Sequence, residues 1–164
     1  MNDEGIGTWI ARRRLRSRAH TAVICDDVVL TYEQFAERAE AVAAGLAAHG
    51  IEHGDRVAYF GENSPEFLSV LFGSAVRGSV FVPINTRLAV PEIAHVLRDS
   101  GARVLIHDGI PPERLDAIRS HVDVAAIIDI AGEGRNLFDP SAWPAPEHAR
   151  VHGSDPAAII YTSG

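Results

Sequence analysis

Arg56-Val57-Ala58-Tyr59-Phe60, Ser64-Pro65, Gly78 and Val80-Phe81-Val82-Pro83-Ile84 mark the stretch that decides the fold. The two apolar runs have the length of strands. Between them, Ser64 offers a capping side chain, Pro65 fits a first helical position, and Phe67, Leu68, Leu71 and Val76 lead to a stop at Gly78. The alternation continues downstream. Pro91 opens a helix with Ile93, Val96 and Leu97, Gly101 ends it, and Arg103 to His107 forms the next strand. Pro111 and Pro112 start a short helix through Leu115 and Ile118, and Val124 to Ile130 is a further strand. Strands separated by helices pair in parallel, with right-handed crossovers and helices on the sheet faces. The expected class is α/β, a parallel-rich sheet flanked by helices.

Upstream, Thr31 with Gln34 three residues on makes a capping box, and Phe35, Ala39, Val42 and Leu46 repeat at helical spacing until Gly50. Before it, residues 22 to 30 read as a small hairpin turning at Asp26-Asp27. Thr8 is placed to cap a first helix containing Trp9, Ile10 and Leu15. That helix carries the one basic cluster, Arg12, Arg13, Arg14, Arg16 and Arg18. Such a cluster is either a patch for anionic lipid or a negatively charged partner, or a solvated helix face. The sparse apolar residues favour the solvated face, with at most weak peripheral membrane contact. His49 and His53 are separated by Gly50, which breaks the helix that would align them on a metal.

Composition narrows the function classes. With 164 residues and 46% hydrophobic content the chain has enough for one sizeable core, and a net charge of −7 argues against general nucleic-acid binding. All fifteen basic residues are Arg, so no lysine is available for a phosphate loop, a Schiff base or a catalytic ammonium. The single cysteine, Cys25, excludes an internal disulfide and reads as a small buried hydrophobe in a reducing compartment. An acidic start and no long apolar run support neither secretion nor a membrane span, and a cytoplasmic location is expected.

After Ile130 the periods stop. Gly132, Gly134, Pro140, Pro144 and Pro146 make residues 131–153 an irregular connection, with Trp143 as a packing anchor. It leads to Asp155-Pro156-Ala157-Ala158-Ile159-Ile160-Tyr161-Thr162-Ser163-Gly164. Ala157 to Tyr161 reads as a strand covered on both faces. Thr162, Ser163 and Gly164 then form either an ordinary turn or a loop whose hydroxyls and unhindered backbone wrap phosphate oxygens.

The same ten residues resemble the opening of YTSGTTGxPKG, the signature of the adenylate-forming, AMP-binding superfamily of acyl-CoA synthetases, adenylation domains and luciferases. Leu30-Thr31-Tyr32, Gly54-Asp55-Arg56-Val57-Ala58, Asn63-Ser64-Pro65-Glu66-Phe67 and Val82-Pro83-Ile84-Asn85-Thr86-Arg87-Leu88 stand in the order and spacing of acyl-CoA synthetases. Around Asn85 to Leu88 the fatty-acyl-CoA ligase branch is the most similar. Residues 1–164 are accordingly expected to be a partial amino-terminal region of such a domain.

The resemblance implies a two-step ligase acting through an acyl-adenylate, with ATP, Mg²⁺ and coenzyme A as the parent's cofactors and a carboxylic acid, above all a fatty acid, as substrate. Thr162, Ser163 and Gly164 are its candidate ATP-binding residues. No catalytic residue, metal ligand or cofactor is expected for the fragment alone, which is expected to be inactive and to self-associate. The alternatives are an adenylation domain that loads a carrier protein and a non-catalytic α/β interaction fragment. Ser64, Tyr32 and Asn85 are explained as a helix cap, a packed aromatic and a loop that starts a helix, and Arg87 as a salt bridge or carbonyl contact.

Overall fold

The computed structural model describes residues 5–132, 134–144 and 150–162. In chain order it contains α1 (Gly7–Ser17), β1 (Thr21–Cys25), β2 (Val28–Thr31), α2 (Tyr32–Ala48), β3 (Arg56–Phe60), α3 (Pro65–Arg77) and β4 (Val80–Ile84). These are followed by α4 (Val90–Ser100), β5 (Ala102–His107), α5 (Pro112–Arg119), β6 (Ala126–Asp129) and a 3-10 turn at Pro140–Ala142.

The main sheet is parallel, with strand order β4-β3-β5-β6. Two local signals fix α3. The Ser64 hydroxyl accepts from Phe67 N–H, and Gly78 adopts φ 76°, a left-handed conformation favoured by glycine. The return strand β4 then pairs with β3 from Arg56↔Val80 to Phe60↔Ile84. Going from β4 to β5 the chain crosses β3, so α3 and α4 lie on opposite faces.

Each face has its own core. Ala58, Val82 and Leu105 point with Ile93, Leu97 and Ile118 toward α4 and α5. Val57, Tyr59, Phe81 and Ile106 point with Val42, Leu46 and Val70 toward α2 and α3. The alternation along β3 is the period of two expected of a strand, read here with both faces covered. Tyr59, Phe67 and Phe81 meet edge to face at 5.6 and 5.1 Å around Phe67. Helices α2 and α3 approach so closely that a Cβ on Gly73 would stand 2.5 Å from the Val42 side chain and 2.9 Å from the Ala39 carbonyl.

Several expectations are corrected. Thr8 does not cap α1: its hydroxyl donates to the Gly5 carbonyl at 3.0 Å, and Ile6 occupies the cap position without a side-chain bond. The arginine cluster is largely exposed, as expected of a solvated face, and it also ties α1 to α2. Arg14 forms a two-pronged pair with Glu40 (2.9 and 3.2 Å), Arg18 pairs with Glu33, and Arg13 lies over the Tyr32 ring. Helix α4 starts before Pro91, at Val90, where the Glu92 carboxylate accepts the Ala89 N–H at 2.7 Å. Strand β6 is shorter than residues 124 to 130, pairing with β5 only from Val104↔Ala126 to His107↔Asp129. Cys25 is half-buried, on a two-stranded hairpin that presents Ile24 and Val29 outward.

The stretch from Ala157 is also less than a full strand. It lies parallel outside β4 through the single bridge Phe81↔Ala158, with Phe81 N–H donating to Ala157 O (3.0 Å) and Ile159 N–H to Phe81 O (2.9 Å). Only one of its faces is covered: Ile159 and Tyr161 pack on the α4 and α5 core, whereas Ile160 is 72% exposed.

Candidate functional site

Parallel strands deliver their following loops to one edge of the sheet, and in open α/β sheets that carboxyl edge is where ligands bind. Two loops meet it near β4, residues 61–64 after β3 and residues 85–88 after β4, and the outer segment runs parallel beside β4 from the bridge Phe81↔Ala158. Past the Phe81↔Ala158 bridge the segment makes no further pairing with β4 among the described residues. Thr162 is exposed. Ser163 and Gly164 lie outside the described residues.

The outer segment is pinned at both ends by side chains. At its start, Asp155 accepts the His152 N–H (2.8 Å) and sits 3.1 Å from His53 Nε2. The His152 N–H, more than His53, pulls the Asp155 carboxyl below its usual range. At its end, the Tyr161 hydroxyl donates to Asp99 Oδ2 at 2.7 Å. Desolvation, reinforced by the Asp99 carboxylate, pushes this phenol up to about 12.

The neighbouring loops are ordered by their own polar groups. Asn85 Oδ1 accepts Arg87 N–H (2.9 Å), and the Thr86 hydroxyl donates to Glu62 (2.9 Å), joining the loop after β4 to the loop after β3. Ser64 is the helix cap and Tyr32 the packed aromatic that their sequence contexts suggest. Arg87 departs from its expected role: its guanidinium has no hydrogen bond or ion pair among the described residues and is exposed. The Tyr59 hydroxyl, beneath the loop after β3, is buried without a hydrogen-bond partner among the described residues, and burial raises its pKa.

An open cleft of about 510 Å³ on the β6 side is lined by Arg38, Glu66, Asp108, Asp129, Arg135 and Phe138. Its charges are largely engaged, since Arg38 pairs with Glu66 and stacks on Phe138, Arg135 stacks on Trp143, and Asp129 accepts the Ala131 N–H. No group of three His, Cys, Asp or Glu side chains able to hold a metal is found among the described residues. His49 and His53 are not a pair: His49 Nδ1 meets Gly45 O, and His53 turns to Asp155. The chain carries no lysine.

The family model for AMP-binding enzymes matches residues 10–164. The chain belongs to the AMP-binding enzyme family. It is 40% identical over 164 residues to a feruloyl-CoA synthase of Amycolatopsis, covering 100% of this chain and 32% of that protein. It is 38% identical over 146 residues to the fatty acid–[acyl-carrier-protein] ligase ScoC of Streptomyces coeruleorubidus, covering 87% of this chain and 27% of that one. The fold superimposes on the N-terminal domain of FACL13 from Mycobacterium tuberculosis with TM-score 0.87 and 37% identity, over 98% of this chain and 42% of that one. The chain thus spans about a third of the length of the curated relatives it matches. The α/β class expected from the alternation is the architecture of these enzymes' amino-terminal region.

Proposed function

We propose that these residues form the amino-terminal part of an ATP-dependent carboxylic acid–CoA ligase, with a fatty acid as the favoured substrate. In the first step a carboxylate oxygen forms a bond to the α-phosphorus of ATP as the bond to pyrophosphate breaks. In the second, the coenzyme A thiol forms a bond to the acyl carbon, loses its proton and displaces AMP. Catalysis of the first step is a matter of holding charged oxygens in line, which calls for preorganised donors rather than for a nucleophile on the protein. Thr162, Ser163 and Gly164 are read as the opening of the loop that supplies such donors. The observation that supports this reading is the parallel bridge Phe81↔Ala158, with its two backbone bonds, which sets the chain running beside β4 in the direction of the carboxyl edge.

ATP, Mg²⁺ and coenzyme A belong in this reading to the complete protein, at work in the cytoplasm. No helix among the described residues is long and apolar enough to cross a membrane. A carrier-protein thiol as acceptor is the second reading, favoured by the similarity to an acyl-carrier-protein ligase. The test uses a protein that carries these residues in a complete AMP-binding domain. Incubated with ATP, Mg²⁺ and fatty or aromatic acids, it is expected to make acyl-CoA, and the 164-residue chain alone to release no pyrophosphate above a protein-free blank. Acyl transfer to a carrier protein in preference to coenzyme A would establish the second reading. Acid-dependent pyrophosphate release by the short chain would overturn the division of labour.

A further inference from the structure

We propose that Asp99 is a positioning residue for the loop that begins at Thr162: by holding Tyr161 it fixes the direction in which the chain leaves the sheet. This rests on the reading of Thr162 as a phosphate contact given above. Asp99 lies 62 residues from Tyr161 in sequence and reaches it from the last turn of α4.

The main chain does not do this work. Both backbone bonds between the outer segment and β4 precede Ile160, and among the described residues none follows. Ile160 offers no anchor either, being 72% exposed. Beyond Ile160, among the described residues, the exit is therefore held by Tyr161, through its ring on the α4 and α5 core and its hydroxyl on Asp99 at 2.7 Å. A short bond from a neutral phenol to a carboxylate is charge-assisted and directional, which suits it to fixing a hinge.

The placement of Asp99 gives an independent reason. A carboxylate in the last turn of a helix faces the negative end of the helix dipole and the free carbonyls, so Asp99 is poorly placed to stabilise α4 itself. Its partner is also protected from titration, because the phenol is pushed up to about 12 and stays a donor throughout the working range. Transition-state contacts tolerate little displacement, so slack at Tyr161 passes directly to the hydroxyl of Thr162.

The test compares Tyr161→Phe, Asp99→Ala, Asp99→Asn and Thr162→Ala in a protein carrying these residues in a complete AMP-binding domain, read by acid-dependent ATP–pyrophosphate exchange. Tyr161→Phe and Asp99→Ala are each expected to raise KM for ATP about tenfold while KM for the acid stays unchanged, the loss of one hydrogen bond to a charged group. The double variant should be no worse than either single one. Asp99→Asn keeps an acceptor oxygen and should recover most of the loss. Should Asp99→Ala fail to fold by circular dichroism, Tyr161→Phe, which keeps the ring packing, decides the matter. An unchanged ATP KM in Tyr161→Phe, with Thr162→Ala impaired, overturns the role of Asp99 and leaves the phosphate reading standing. No change in Thr162→Ala overturns both.

Discussion

His107 shows how one residue's environment sets a pH response. It closes β5, is 2% exposed, and its Nδ1 accepts the Ile110 N–H at 3.2 Å, a bond that only the unprotonated nitrogen can make. Burial holds its pKa below the ordinary 6.5, and Asp129, 3.7 Å away and partly exposed, offsets this only in part. The unfolded chain therefore takes up a proton, as pH falls below about 6.5, that folded His107 resists. The stabilisation is present above that pH and is lost as pH falls through the lowered value. Denaturation midpoints measured across this range should fall with acidification, and His107→Gln should flatten the slope. A slope unchanged in that variant would assign the response elsewhere.

Among the elements, α2 and α3 depend on an approach that leaves no room for a side chain at Gly73. The nearest neighbours of an added Cβ are the Val42 side chain and the Ala39 carbonyl, and backbone cannot swing aside as a flexible tip would. Gly73→Ala should destabilise the fold by about 1–3 kcal/mol, the usual cost of overpacking, in spite of alanine's better helix propensity. Urea unfolding measures it, and a neutral or stabilising result would mean the helices sit farther apart. Helix α1 makes a different claim. With Arg13, Arg14 and Arg18 turned to Tyr32, Glu40 and Glu33, flotation with anionic vesicles should show only weak binding that physiological salt removes. Binding that survives high salt would point to an apolar surface on α1.

The elements that were legible in the sequence carry their own boundary chemistry. Thr31 with Gln34, Ser64 with Pro65, and Gly78 and Gly101 mark helix ends through bonds to residues a few positions away. Thr8 has a capping residue's chemistry but donates instead to Gly5, in a turn that only the packing of the amino-terminal segment sets. The segment from Ala157 has a strand's composition, yet among the described residues it pairs only at Phe81↔Ala158, an extent that no local pattern encodes. The Tyr161–Asp99 bond, like the pairing of Arg14 with Glu40, joins positions far apart in sequence, and neither partner signals the other.

For the whole molecule, the outer segment leaves apolar surface in water: Ile160 is 72% exposed and Ala158 is exposed beside it. At roughly 25 cal/mol per Å² this surface favours association, and the outer edge of the segment is open to another chain. The 164-residue chain is expected to bind a hydrophobic dye and to self-associate on a sizing column. A chain extended through the rest of the domain should do neither, and a monomeric, dye-silent short chain would mean that this face is already covered. The proposed role of Asp155 to Gly164 as the opening of a phosphate-binding loop turns on acid-dependent ATP–pyrophosphate exchange in a protein carrying these residues in a complete domain, with and without Thr162→Ala and Ser163→Ala. Removing the two hydroxyls is predicted to lower exchange by roughly tenfold to a hundredfold with the fold intact, the range for donors to developing or bound anionic oxygens. Unchanged exchange in a folded double variant would contradict it and make Thr162 and Ser163 ordinary turn residues.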